Sequence, residues 1–440
     1  MKMDSNDSTV SKAISVIHTR AEVMPPDFTA EFSLPNPKQE AFSSPRQIFI
    51  FLDGTWNEER APWGKVIPTN VLRMFQELNH KTVHELRSLP EGKNSTEIIG
   101  HYYRGVGSRQ DNNVVDRKWF GFNGKDEERI RGAAFADLYR DYTNNNDRIY
   151  ILGFSRGAAS ARLLARDICI SGLPPRLRVH TTHFPNLLTG QIEARVDRVE
   201  RLHDDPTGEK NHRPKVAFLG CWDTVDAFVL PSRFPTQGLM DKGVRMLKSS
   251  IPALLGKERF KGEENGIPEG VLKAVHCVAI DETRHAFLPS LMPHADNVEE
   301  VWFPGVHSDI GGGYNDSGLA QAPYEFMKKQ LIAAADLGNQ NLFKISERPS
   351  FSSEFCFHFH GLNTGLKRAM NVFGFGTSIR SIRVLDAKDG VKPKIHDSLN
   401  KVMTSDSVYA ADTRDKRTWT ITYDPYNVRE LRQEFDVVSD

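Results

Sequence analysis

A serine set between two glycines, a few acids at strand ends and a late histidine are the residues of this chain with chemistry to offer. Gly153-Phe154-Ser155-Arg156-Gly157 has the G-x-S-x-G spacing in which a serine hydroxyl serves as a nucleophile. With Gly and Ser each near 7% of residues, the bare spacing arises by chance in roughly one chain in seven of this length. Its flanks raise its meaning. Arg148-Ile149-Tyr150-Ile151-Leu152 is short, apolar and β-branched or aromatic at three positions, which reads as a buried strand. Ala158 to Arg166 has strong helix formers at nearly every place. Strand, G-x-S-x-G, helix is the context of a nucleophile elbow, where the turn holds the serine in strained backbone geometry and the glycines avoid collisions with the neighbouring elements. The structural alternative is a tight turn around a buried, hydrogen-bonded serine.

A serine nucleophile needs a base that takes its proton and returns it near neutral pH, which is the work of histidine. Of the fifteen histidines, His307 directly follows an apolar strand, in the Gly-rich loop Pro304 to Tyr314. His276 lies inside a strand and reads as structural. The base in turn needs an acid to fix its tautomer. Asp223 and Asp281 both lie between Ser155 and His307, giving the Ser…Asp…His order of α/β hydrolases. Arg284 is near Asp281 in sequence and would compete with the imidazole, whereas Asp223 has no neighbouring cation. Asp223 is therefore favoured, with Asp281 kept as the alternative. The amide of Arg156, at the helix N-terminus, can face an oxyanion, and a second donor is expected from Gly54 or Thr55. Asp53, Trp56 and Phe154, at the ends of strands, are the expected substrate-binding residues, with Leu247 and Ile251 on a separate amphipathic stretch.

The elements that must position these groups repeat one pattern. Gln47 to Leu52, Ile98 to Tyr103, Lys215 to Trp222, Val271 to Ile280 and Val298 to Phe303 are apolar runs, and most close on a polar loop. In an open parallel sheet the ligand sits at the carboxyl ends of the strands, so these loops mark one active edge. Val71 to Leu78, capped by Thr69 or Asn70, and Asp126 to Tyr142 have helical spacing, as does Pro323 to Leu337. Arg176 to His212 reads as polar and partly helical. Gly243 to Leu255 sets Val244, Leu247, Ile251, Leu254 and Leu255 against Arg245 and Lys248. This face reads equally as a lid touching membrane or as ordinary core. The expected fold is a doubly wound, mostly parallel α/β sheet with helices on both faces. Residues 1–45 form a flexible arm, 46–430 the catalytic domain with a lid-like insertion at 226–270 and a C-terminal part at 338–430, and 431–440 a tail. Asp53-Gly54-Thr55 is also reminiscent of aspartate-nucleophile phosphatases, but their pattern has an acid two residues earlier, where Phe51 stands.

Totals set outer bounds. The chain of 440 residues, 39% hydrophobic, is long enough for one large core or two ordinary ones. Lys+Arg and Asp+Glu are both 57, so no net field recruits nucleic acid. Cys169, Cys221, Cys277 and Cys356 lie far apart and demand neither a disulfide nor a zinc site, and no metal or organic cofactor is expected. The polar N-terminus lacks an apolar signal core, and no apolar run is long enough to span a bilayer, so the reading is a soluble protein made in the cytoplasm.

Taken together, Phe51-Leu52-Asp53-Gly54-Thr55-Trp56-Asn57, Gly153 to Ala158, Trp222-Asp223-Thr224-Val225, Ala279 to Arg284 and Gly305 to Tyr314 resemble the first family of type VI secretion lipase effectors. Ile395-His396-Asp397-Ser398 and Tyr423-Asp424-Pro425 are similar to that domain's closing segments, so the resemblance runs over about residues 46–430. It implies an α/β hydrolase with phospholipase A activity and a triad on Ser155, Asp223 and His307. It further implies membrane phospholipid as substrate, export without a Sec signal, action in the periplasm of target cells, a secretion spike protein as carrier and a cognate immunity protein. Two other functions fit the residues themselves: a cytosolic esterase or thioesterase for small soluble esters, and a non-catalytic binding module on a hydrolase scaffold.

Overall fold

The computed structural model describes residues 27–34, 45–54, 67–79, 97–105, 124–185, 192–202, 211–225, 266–284, 287–314, 318–335, 342–344, 357–360, 379–388, 390–411, 418–432 and 434–439. In chain order the elements are strand β1 (Phe28–Ser33), β2 (Arg46–Leu52), helix α1 (Asn70–Glu77), β3 (Glu97–Tyr103), α2 (Gly124–Asp141), β4 (Arg148–Phe154) and α3 (Arg156–Arg166). β5 (Arg176–Pro185), β6 (Ile192–Leu202), β7 (Val216–Trp222), β8 (Ala274–Ala279), β9 (Val298–Phe303), α4 (His307–Gly311) and α5 (Gly318–Ala335) follow. The last are β10 (Phe357–His360), β11 (Lys394–His396), α6 (Ser398–Met403), β12 (Val408–Ala411), β13 (Thr418–Thr420), α7 (Tyr426–Glu430) and β14 (Asp436–Val438).

Eight of the strands form one sheet in the order β14-β11-β9-β8-β7-β4-β2-β3, and every pairing in it is parallel. A parallel sheet needs cover on both faces, and the apolar runs supply it without alternation. Alternate residues serve opposite layers. Phe49, Phe51, Tyr150, Leu152 and Phe218 join one core with Val71 and Met74 of α1 and Leu319, Phe326 and Met327 of α5. Ile48, Ile50, Ile149, Ile151 and Leu219 join the other with Ala134 and Leu138 of α2 and Ala158, Ala161 and Leu164 of α3. Each large aliphatic or aromatic side chain so buried contributes about 1.5 to 3 kcal/mol. In-register pairing sets Phe49 opposite Tyr150, and their rings stack at 4.3 Å. Thr69 caps α1 by accepting from the Leu72 amide at 3.1 Å. The architecture is an α/β-hydrolase-like, doubly wound sheet.

Three segments differ from the sequence expectation. Between Arg176 and Leu202 the chain forms the antiparallel strands β5 and β6, not helix. Leu177 and Val179 are buried in the second core, with Val196 and Val199 packed against it, while Arg176, Arg178, Arg195 and Arg198 make ion pairs on the other side. Two-residue alternation fits a one-sided sheet, and arginine-rich polarity masked it. β1, inside the expected N-terminal arm, pairs antiparallel with β5 from Phe28 to Ser33. β14, in the expected tail, pairs with β11 and closes one edge of the large sheet. The lid-like stretch 243–255 lies outside the described residues.

Candidate active site

β4 delivers Ser155 at its carboxyl end, and α3 begins at the next residue. Ser155 has φ 58° and ψ −123°, a conformation costly for any residue but glycine. The turn is pinned from the neighbouring strand: the Ser155 amide donates to Trp222 O at 3.0 Å, and the Val225 amide donates to Ser155 O at 3.3 Å. The two flanking glycines are required by close backbone approach. A Cβ on Gly157 would stand 2.2 Å from the Leu52 carbonyl oxygen, and one on Gly153 would stand 2.4 Å from that of Gly157.

β7 ends beside this turn and carries Asp223, and the loop after β9 carries His307 as the first residue of α4. His307 Nε2 lies 2.8 Å from Ser155 Oγ, and Nδ1 lies 2.6 Å from Asp223 Oδ2. All three are buried, Asp223 completely. Burial alone would raise the Asp223 carboxyl, but the Arg380 guanidinium and the imidazole hold it well below the usual carboxylate range. An ionised carboxylate only accepts, so Nδ1–H donates to it and Nε2 is left to accept from the serine hydroxyl. Burial lowers the His307 imidazole below its ordinary value, with Asp223 opposing. The His307 imidazole is therefore neutral at rest. The ring is held between Phe154, with centroids 4.6 Å apart, and Phe287 at 4.8 Å.

Asp281 does other work. Its Oδ2 accepts from the Gly305 amide at 2.6 Å and from Tyr423 Oη at 2.8 Å, and its own amide donates to Gly305 O at 3.0 Å. It thus staples the loop that leads to His307. Burial pushes this carboxyl up to about 7. Arg284, expected beside Asp281, instead grips buried Glu282, with Nη2–Oε2 at 2.6 Å. Glu282 also accepts the His307 amide at 3.3 Å. His276 is buried between Glu300 (2.8 Å from Nδ1) and the Thr224 amide, which donates to Nε2 at 3.0 Å. It supports the turn that bears Asp223.

The loop after β2 departs from its expected role. Asp53 is buried, and its Oδ2 accepts from Thr69 Oγ1 at 2.7 Å and Tyr102 Oη at 2.6 Å. The Gly54 N–H donates to Asp53 Oδ1 at 2.6 Å. Asp53 is thus an interior strut, not a substrate contact. The Gly54 amide, expected to face an oxyanion, is engaged by this carboxylate. Thr55, Trp56, Leu247 and Ile251 lie outside the described residues. Arg156 opens α3 immediately after the serine.

One residue at the site was not foreseen. Arg380 is buried, and its guanidinium donates to Asp223 Oδ1 at 2.6 Å and Oδ2 at 3.0 Å. It also donates to the carbonyls of Ala279 at 2.9 Å and Phe287 at 2.5 Å. Ile379-Arg380-Ser381-Ile382-Arg383 carries no motif, and its acid lies 157 residues upstream. Among the described residues no group of three or more His, Cys, Asp or Glu could hold a metal ion, and no helix is long and apolar enough to cross a membrane.

Residues 46–330 match the family model described as the type VI secretion system phospholipase effector Tle1-like catalytic domain. No curated protein sequence matches the chain. Among solved structures, an uncharacterized protein from Pseudomonas aeruginosa aligns with 18% identity and a TM-score of 0.35, over 66% of this chain and 46% of its own. The Tle1 effector, solved bound to the VgrG spike of the type 6 secretion system, aligns with 19% identity and a TM-score of 0.31, over 62% and 52%. An esterase from Thermogutta terrifontis with butyrate bound aligns with 12% identity and a TM-score of 0.31, over 71% and 91%. The chain thus spans about half the length of the first two. A family model that matches well over half of the sequence, from β2 into α5 and across Ser155, Asp223 and His307, shows that this chain belongs to the Tle1-like phospholipase effectors of the type VI secretion system.

Proposed function

We propose that the protein is a serine phospholipase of the A type that cleaves acyl ester bonds of membrane glycerophospholipids. The observation that carries this reading is the buried hydrogen-bonded line from Asp223 through His307 to Ser155, within a Tle1-like catalytic domain. In the reaction, Ser155 Oγ attacks the ester carbonyl while His307 Nε2 takes its proton. The tetrahedral oxyanion is held by the Arg156 amide and by one from the loop after β2, with Thr55 as its candidate donor. His307 returns the proton to the departing glycerol oxygen, releasing lysophospholipid and leaving an acyl-serine. Water, deprotonated by His307, then attacks that ester, and the collapse frees the fatty acid and restores the serine. Asp223 orients the imidazole and stabilises its charged form throughout.

Family membership extends the proposal to delivery. A spike protein is the natural carrier, as the solved Tle1 complex with VgrG illustrates for that protein. The target would be the periplasmic face of a rival cell's membrane, with an immunity protein guarding the producer. Fatty-acid release from phospholipid vesicles by wild type and Ser155→Ala, beside a soluble short-chain ester, tests the enzymatic core. Wild type is expected to release fatty acid, with the variant down by at least about a thousandfold. Cleavage of the soluble ester alone would instead establish a small-ester esterase. Activity indifferent to Ser155→Ala would remove the serine mechanism.

A further inference from the structure

The Asp223 carboxylate receives more than a triad acid needs. Oδ2 takes the His307 Nδ1–H and one Arg380 N–H, while Oδ1 takes a second Arg380 N–H and the Ala279 amide at 3.0 Å. Asp223 sits at φ 39°, so its own backbone does not rest in a favoured well. Arg380 is anchored independently of the acid. Its carbonyl accepts from Asn427 Nδ2 at 3.2 Å, and the same amide group donates to Ile280 O at 3.0 Å. Its guanidinium also ties the end of β8 to Phe287, whose ring packs on His307. A planar fork with both prongs on one carboxylate fixes orientation as well as charge.

We propose that Arg380, which lies beyond the residues matched by the family model, is a positioning residue that fixes the triad acid and tempers its pull on the imidazole. The inference rests on the hydrolase reading above. A lone buried carboxylate would draw a proton onto His307, whereas one already matched by a guanidinium leaves the imidazole neutral and ready as a base. The other charges near the ring are accounted for. Glu282 is paired with Arg284, Asp281 is bonded to Gly305 and Tyr423, and Asp309 on the histidine's own helix accepts the Val306 amide at 2.9 Å. Removing the Arg380 cation is then the one change that leaves Asp223 and His307 as a pair.

The test uses the full chain with 13C-labelled histidine, Arg380→Gln and Arg380→Lys, and His307→Asn to identify the His307 resonance. Titration of that resonance is expected to move up by about one pH unit in Arg380→Gln and to stay near wild type in Arg380→Lys, which keeps the cation. Vesicle hydrolysis by Arg380→Lys is expected to lose about tenfold in kcat with KM within about twofold, because an ammonium cannot hold both oxygens. A His307 titration in Arg380→Gln equal to wild type would overturn the electrostatic role, whatever the change in melting temperature. If Arg380→Gln does not fold, Arg380→Lys carries the test, and wild-type kcat in that variant would overturn the positioning role. A shifted titration in a protein without serine-dependent hydrolysis would uphold the action of Arg380 on the pair and refute the phospholipase reading.

Discussion

Two buried acids of one residue type are shifted in opposite directions within this site. Asp223 meets a guanidinium and an imidazole and is held ionised. Burial, with Asp309 adding a like charge, pushes Asp281 up to about 7, and the neutral donors Gly305 and Tyr423 offset only part of this. The difference has a measurable sign. The folded state holds the Asp281 proton more tightly than an unfolded chain, whose carboxyl titrates near 3.8. Stability attached to this group is therefore greatest below about pH 4 and is lost as pH rises towards 7. Asp281→Asn keeps an acceptor for Gly305 and Tyr423 but cannot ionise. Between pH 5 and pH 8 its melting temperature should gain on wild type by about a few degrees. Parallel melting curves across that range would show that Asp281 does not titrate there.

At the scale of elements, the elbow is a contact between backbones as much as a turn. α3 approaches the end of β2 so closely that Gly157 admits no Cβ against the Leu52 and Asp53 carbonyls. Backbone atoms cannot rotate aside as a side chain can. Gly157→Ala should cost about 1 to 3 kcal/mol or more, read from urea unfolding, and should weaken hydrolysis by moving the Arg156 amide. Wild-type stability in that variant would mean that α3 shifts freely. The same elements explain what the sequence makes legible. Apolar runs long enough to be buried on both faces mark β2, β4, β7, β8 and β9, and their polar ends bring Ser155, Asp223 and His307 together. β5 and β6 were hidden because their outward faces are arginine and glutamate, which resemble a solvated segment. The engagement of the Gly54 amide by Asp53 is not legible in the sequence, because Asp53 is placed by Thr69 and Tyr102, which are distant in the chain. Arg380 left no local trace, since a buried ion pair depends on the fold and not on spacing.

On the scale of the whole molecule, the large sheet extends beyond the matched stretch. β11 pairs with β9, β14 pairs with β11, and Arg380, Tyr423 and Asn427 reach the strand ends that bear the site. A chain ending at residue 330 would bare the β9 edge, remove Trp302's neighbour Ile395, and leave the Asp223 carboxylate buried without its cation. Such a truncation should be insoluble or lack a cooperative thermal transition, and should show no vesicle hydrolysis; a soluble, active fragment would mean that nothing after residue 330 is needed.

The distance between Arg380 and its acid is also an interval of time. During synthesis Ser155, Asp223 and His307 leave the ribosome in that order, and Arg380 follows His307 by 73 residues. At ordinary elongation rates the guanidinium arrives roughly 4 to 15 s after the histidine. Until then Asp223 lacks the guanidinium that meets it in the folded chain, so the fully paired carboxylate is a late product of synthesis.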